Sequence, residues 1–474
     1  MNHRQQALVD QAVRLAGPKA VTINPDDIAP WLVDWRRRYS GNAPAILAPA
    51  TTEETAAIVR AAVELQVALV PQGGNTSMVG GATPPADGTA LILSLRRLNR
   101  IRAINRDEGQ AIVEAGVVLE ALHEAALDHD MRFPLTLGAR GSATLGGLVS
   151  TNAGGTQVLR FGTMRRLVTG VEAVLPDGSI HDGLSALKKD CRGYDLNQLL
   201  IGAEGTLGVV TAAALTLVPA IGARTVAWIG VASPHAALTL LRRFQQNLPS
   251  VESFEIIPDD SLGLVLEHIP QTRAPLAGSH RWHVLVEATA DVGQSAPLAP
   301  IEQLLGGALE DGLIEDAVIA ASESQASAFW RLRDSLSEAE RASGPAVQHD
   351  ISVPVAAMPD FMVQAAAKVE ARFAGVSASA FGHLGDGNVH FHVRAAAGED
   401  RDAWYRDRAP AITTLVHDLV TEAGGSISAE HGIGQMKRDE LARLGPPARL
   451  AALRAIKYAL DPAGIMNPGK LIAN

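Results

Sequence analysis

Apolar and polar positions follow two textures along this chain. Up to about residue 219, short apolar runs and amphipathic stretches alternate, broken by glycine-rich loops. Met1–Gly17 has the spacing of a polar amphipathic helix. Thr51 followed by Glu54 reads as a capping box that starts a helix running to Gln66. Val67–Val70, Ala90–Leu95, Ala111–Ala115 and Leu167–Leu175 read as strands, and Leu119–Asp128 as a helix. A long apolar strand, Val209–Val218, is closed by Pro219. Beyond it glycine thins out and longer helices (Ala236–Gln246, Pro300–Glu310, Ala326–Arg341) alternate with strands (Thr225–Val231, Trp282–Glu287, Val347–Val353, Ala378–Phe381, Val389–Val393). This order suits an α+β fold whose second domain is an antiparallel sheet with helices on one face. The expected division is 1–219, 220–455 and a short C-terminal segment, 456–474, in which Asp461–Lys470 forms a compact docking turn.

The loops change the picture from fold to chemistry. Pro71–Gly81 follows a strand and carries Gly73, Gly74, Asn75, Thr76 and Ser77. Glycines let backbone N–H groups approach a phosphate closely, and the polar side chains add donors. Neither the Walker pattern nor the Rossmann fingerprint is present, and such a loop is as often only a turn. Leu137–Gly155 holds six glycines with Ser142, Thr144 and Asn152, which suits a large flat ligand lying against main chain. Tyr194–Gly208 is a third such stretch.

Composition narrows the classes. The 474 residues are 47% hydrophobic and 19% charged, enough for more than one core. A net charge of −10 argues against a nucleic-acid surface. Cys191 is the single cysteine, so no intramolecular disulfide can form. The N-terminus lacks the apolar core of a signal peptide, and no run of about 20 apolar residues is present. A cytoplasmic protein without a transmembrane segment is the expectation.

Two stretches near the C-terminus concentrate metal-ligand chemistry: Phe381–His392, which reads FGHLGDGNVHFH, and Ser428–Gly434, which reads SAEHGIG. They offer His383, His390, His392, Glu430 and His431. Imidazole and carboxylate suit a borderline ion such as zinc. The Gly385–Gly387 turn can fold the chain back so that His383 meets His390, and His390 and His392 share one face of a strand. Asp386 is assigned to the turn rather than to the metal.

Taken together, Pro71–Gly81, Leu137–Gly155 and Tyr194–Gly208 resemble the flavin-binding half of the vanillyl-alcohol-oxidase-type flavoproteins. HLGDGNVH and SAEHGIG resemble their D-lactate and D-2-hydroxyglutarate dehydrogenase branch, nearest to the D-2-hydroxyglutarate enzymes. The likeness runs from about Ala43 to Lys470. It implies a two-lobed, PCMH-type FAD-binding domain and an antiparallel-sheet substrate domain capping the flavin. Gly73, Gly74, Asn75, Thr76 and Ser77 would hold the pyrophosphate. Gly138, Gly141, Thr144, Gly147, Asn152 and Gly205 would lie along the flavin, with Asn467 returning to the same domain. Asn75 and its neighbours stand where some relatives carry a histidine for covalent attachment, so FAD is expected to be noncovalent.

By the same likeness His383, His390 and Glu430 hold a divalent metal, zinc in the relatives, and His431 is the general base. Arg333 and Ser337 would hold the substrate carboxylate. The implied reaction is oxidation of a D-2-hydroxy acid by hydride transfer to flavin N5, with metal-assisted deprotonation of the hydroxyl. D-2-hydroxyglutarate, giving 2-oxoglutarate, is the leading substrate, and D-lactate or another D-2-hydroxymonocarboxylate the alternative. Two departures fall at the substrate's far end or around the metal ligands: Gln348 where those enzymes have a lysine, and His392 where they have an asparagine. The implied partners are the small-molecule acid and an electron-accepting protein or quinone, with a homodimer as the oligomer considered.

Overall fold

The structure is a computed structural model, and it describes residues 1–473 except 186 and 188. The chain divides into two compact units. The first comprises 1–155, 162–219 and 430–474, and the second 156–161 and 220–429. The return to the first unit thus begins at Glu430, not at 456 as the sequence suggested. Arg160 and Thr156 explain the short excursion. Arg160 lies 2.7 Å from the buried Glu252, and Thr156 O accepts from Ser253 Oγ at 3.0 Å.

The first unit holds two sheets. In one, Ile46–Leu47, Ala90–Ser94 and Ala68–Gln72 pair in parallel, and Val21–Thr22 adds an antiparallel edge. In the other, Ile101–Asn105, Gln110–Glu114, Val209–Thr216, Val168–Val174 and Ile180–Asp182 pair antiparallel in that order. The helix Thr52–Leu65 starts as expected, with Thr51 Oγ1 accepting from Glu54 N. The return half of the capping box differs, because the Glu54 carboxylate takes Ala50 N instead. The N-terminal helix His3–Ala16 packs Leu8, Val9 and Ala12 into the core beside that helix. The C-terminal turn docks by backbone pairing, since Leu69 N donates to Ile465 O and Asn467 N to Leu69 O.

Leu137–Gly155 is not wholly loop, as it contains the helix Leu145–Thr151. Glycine-rich sequence hid it. Its apolar residues Leu145, Leu148 and Val149 are buried, and Asn152 closes it in the left-handed conformation.

The second unit is built on one seven-stranded antiparallel sheet. Its order is Asp316–Ile319, Ile221–Val231, Trp282–Asp291, Val251–Pro258, Ser377–His383, Asn388–Arg394, Ala346–Ser352. Helices cover both faces, contrary to the one-face expectation. Pro234–Asn247, Leu298–Glu310, Met358–Arg372 and Ala409–Glu422 pack with Ala227, Ile229, Phe254 and Ile256. Asp259–His268, Glu323–Asp334 and Leu336–Ala342 pack with Val226, Trp228, Ile257 and Phe381. The central strands carry continuous apolar runs, as strands buried on both faces do. The expected helix 326–341 is broken at Ser335, which ends one helix and starts the next.

Candidate active site

The hairpin in the second unit brings two predicted ligands together. Strands Ser377–His383 and Asn388–Arg394 pair with His383 opposite Asn388 and Phe381 opposite His390. Four residues, Leu384–Gly387, make the turn. Gly387 has φ +81°, and a side chain there would meet Val353 O at 2.1 Å, so only glycine fits. Asp386 accepts from Asn388 N at 2.9 Å, the turn-stabilising role expected of it. The rings of His383 and His390 are 5.4 Å apart, edge to face.

A residue that sequence reading missed stands behind them. Glu255 lies opposite His383 on the adjacent strand and is 1% exposed. Its Oε1 is 2.6 Å from His383 Nδ1, and its Oε2 accepts from Arg333 Nε at 2.8 Å. A carboxylate on Nδ1 fixes the ring's orientation. Burial would raise the Glu255 carboxyl, but the charges of Arg333 and His383 hold it below the usual range. Burial acts against the His383 imidazolium, yet the Glu255 charge outweighs it and pushes His383 up to about 9. Burial, with the charges of His383 and Arg333, holds His390 well below the ordinary histidine value, in the neutral form that a ligand needs.

Arg333, predicted as a substrate clamp, is already engaged. Its Nε donates to Glu255, and Nη2 sits 3.1 Å from His383 Nε2. Ser337 follows on the next helix, and its carbonyl accepts from Gln348 Nε2 at 3.4 Å. Gln348 lies opposite His392 across the sheet. His392 is buried, and its Nδ1 pairs with the carboxylate of Glu340, a second residue that the sequence did not single out.

Glu430 and His431, both half-buried, open the segment that returns to the first unit. There the loop is held by the buried Glu204, whose two oxygens accept from Ile433 N and Gly434 N at 2.7 Å each. Burial pushes the Glu204 carboxyl up, against those two donors. Asn467 Nδ2 donates to Glu204 O and to Gly81 O, which ties the C-terminal turn to the third and first glycine-rich stretches.

The first unit also supplies a cavity of about 380 Å³ lined by Trp31, Gly74, Arg96, Gly116, Ser142 and Thr144, among others. Arg96 stacks over the Trp31 ring at 3.5 Å. A side chain on Gly73 would meet Thr144 Oγ1 at 2.1 Å, and one on Gly74 would meet Ser142 O at 1.8 Å. Thr144 Oγ1 is buried with no hydrogen-bond partner. A bare main-chain cradle with an orphaned hydroxyl fits a phosphate-bearing ligand such as the pyrophosphate part of FAD. Not every predicted flavin residue points that way. Asn75 Nδ2 donates to Val33 O, Ser77 Oγ accepts from Gly81 N, and Asn152 Oδ1 accepts from Arg165 N. These three hold the loops' shape. Gly138, Gly141 and Gly147 are exposed, whereas Gly205 is buried.

The chain is similar to known proteins over nearly all its length. Residues 43–183 match the family model "FAD binding domain", and 222–471 match "FAD linked oxidases, C-terminal domain". The mitochondrial D-2-hydroxyglutarate dehydrogenase of Arabidopsis thaliana is 35% identical over 97% of this chain and 80% of its own. That of Bos taurus is 37% identical over 96% and 81%. The D-2-hydroxyglutarate dehydrogenase of Stutzerimonas stutzeri is 34% identical over 98% and 99%. Among solved structures, p-cresol methylhydroxylase aligns over 99% of this chain and 97% of its own, with TM-score 0.76 and 14% identity. Alkyldihydroxyacetonephosphate synthase aligns over 98% and 84%, with TM-score 0.71 and 14% identity. These two share the fold.

Proposed function

The chain belongs to the FAD-linked oxidases, beside relatives named D-2-hydroxyglutarate dehydrogenase, and from that premise we propose that it oxidises a D-2-hydroxy acid to the 2-keto acid using FAD and a divalent metal. The observation that carries the metal is the His383–His390 pair backed by Glu255. Glu430, carried over from the family likeness, is the proposed third ligand, and two imidazoles with a carboxylate are the donor set of a catalytic zinc site.

Bound FAD supplies the acceptor for the hydride leaving C2, and a bound divalent ion supplies Lewis acidity to the substrate hydroxyl. Noncovalent FAD would be held by the Gly73–Gly74 cradle with Ser142 and Thr144. Arg333, its Nε fixed by Glu255, holds the substrate carboxylate, assisted by Ser337. His431 takes the hydroxyl proton as general base. The substrate loses that proton and the C2 hydride, and the product is the 2-keto acid. A carrier protein or quinone then receives the electrons.

The relatives' names put D-2-hydroxyglutarate first among substrates. A D-2-hydroxymonocarboxylate is the second reading, favoured by the buried carboxylate of Glu340 beside His392. No helix among the described residues is long and apolar enough to cross a membrane, and several relatives are named mitochondrial. Metal and flavin content test the proposal. The purified protein should hold stoichiometric FAD and divalent metal, and His383→Ala should lose the metal while keeping the flavin. A metal-free, fully active parent protein would overturn the metal's role.

A further inference from the structure

Arg96 is a cation that the protein's own acids leave alone. The arginines that follow it along the chain are engaged. Arg97 Nη1 donates to Ala48 O at 2.7 Å, and Arg100 and Arg102 pair with the buried Glu114. Arg96 stands two residues past the strand Ala90–Ser94, and its Nε donates to Ser94 Oγ at 3.2 Å. Among the described residues no carboxylate pairs with it. Partial burial pushes its guanidinium down with no neighbouring acid to offset that, yet an arginine stays charged at neutral pH.

Its seat is aromatic. The guanidinium lies 3.5 Å from the centre of the Trp31 ring, where the indole face attracts a cation. Trp31 is in turn tied to the first glycine-rich loop. The buried Gln72 donates from Nε2 to Trp31 O at 3.0 Å, and Asn75 Nδ2 donates to Val33 O at 2.9 Å. Gln72 also pairs with Ser94 across the parallel strands. Loop, indole and cation are thus braced against one another.

The cavity of about 380 Å³ that holds the main-chain cradle is lined by this pair as well. Arg96 is the one charged side chain among the described residues around it. The cradle's own contribution is neutral: bare backbone at Gly74 and the orphaned hydroxyl of Thr144. Neutral donors solvate a diphosphate and leave its charge unmatched. A planar guanidinium suits phosphate oxygens in shape as well as in sign.

Resting on the proposed FAD binding, we propose that Arg96, seated on Trp31, is the counter-charge for the FAD diphosphate. Neither residue belongs to the set of flavin contacts that the glycine-rich loops suggested. Arg96 holds the cofactor and takes no part in hydride or proton transfer, so the redox reading stands or falls separately.

The test is retention of FAD by the full-length holoprotein, measured by ultrafiltration of serial dilutions at low and high NaCl. Arg96→Gln should raise the FAD dissociation constant about 10-fold at low salt, the weight of one charge-assisted hydrogen bond. Salt screens a partly exposed charge pair, so the parent should lose FAD affinity as NaCl rises, and Arg96→Gln should lose much less. Arg96→Lys keeps the charge and should keep the parent's salt response. Arg96 is exposed, so neither substitution empties the core. Equal retention by the parent and Arg96→Gln overturns the role of Arg96 and leaves FAD binding standing. Weaker retention with the parent's full salt response overturns it too, because the loss is then one of shape and not of charge. A parent protein that holds no FAD overturns the underlying reading and this inference with it.

Discussion

Glu255 serves two partners that a neutral residue of the same size would divide. Its carboxylate orients His383 through Nδ1 and fixes Arg333 through Nε. Glu255→Gln should lower metal affinity by about 10- to 100-fold with flavin content unchanged, read by competition with a chelator. Unaltered affinity would mean that the strand alone positions His383. Lys470 makes a separate prediction about pH. Burial, with Arg438 nearby, pushes its ammonium down from 10.5 to about 8, while Glu204 pulls the other way. Between those values the native side chain gives up a proton that the unfolded chain keeps. Stability from this residue therefore rises with pH across that window and is flat below it. Urea midpoints of the parent should climb more from pH 8 to pH 10 than those of Lys470→Met, and equal slopes would count against the assignment. His383 and His390 were legible in the sequence because one short hairpin brings them together. Glu255 was not, because its partners lie 78 and 128 residues away.

At the scale of elements, most of the strands and helices that periodicity predicted lay within about two residues of their expected ends, and several elements, Met358–Arg372 and Ala409–Glu422 among them, were not predicted. The exceptions have physical causes. Val251–Pro258 is buried along its whole length, so no alternation marks it, and it carries the glutamate that organises the site. Leu145–Thr151 is helical despite its glycines, because burial of Leu145, Leu148 and Val149 overrides weak propensity. The glycine loops were legible as close-approach backbone, but the tasks of single polar residues within them were not. Asn75, Ser77 and Asn152 bond to distant or neighbouring main chain that the sequence does not display. Close approach itself is testable. Gly74→Ala would drive a methyl into Ser142 O, a backbone atom that cannot swing aside. The variant should purify with flavin largely lost, seen in its visible absorbance relative to protein, whereas normal flavin content would place the cofactor elsewhere.

For the whole molecule, the two-unit plan was legible from the change of texture after Pro219, and the family from five long motifs in order. The interleaving of the chain was not. The excursion 156–161 and the return at Glu430 depend on Arg160 meeting Glu252 and on Glu204 meeting the Ile433–Gly434 backbone, pairings that no local pattern announces. The return matters to function because it carries Glu430 and His431, so one loop clamped by Glu204 supplies both the third proposed ligand and the proposed base. The central claim is that a D-2-hydroxy acid delivers hydride to bound FAD with a metal's help. Anaerobic bleaching of the flavin band, with and without prior chelation, tests it most directly. The account predicts rapid bleaching by D- but not L-2-hydroxy acids, lost on chelation and restored by zinc. Bleaching that survives complete removal of metal, or none with any hydroxy acid, would contradict it.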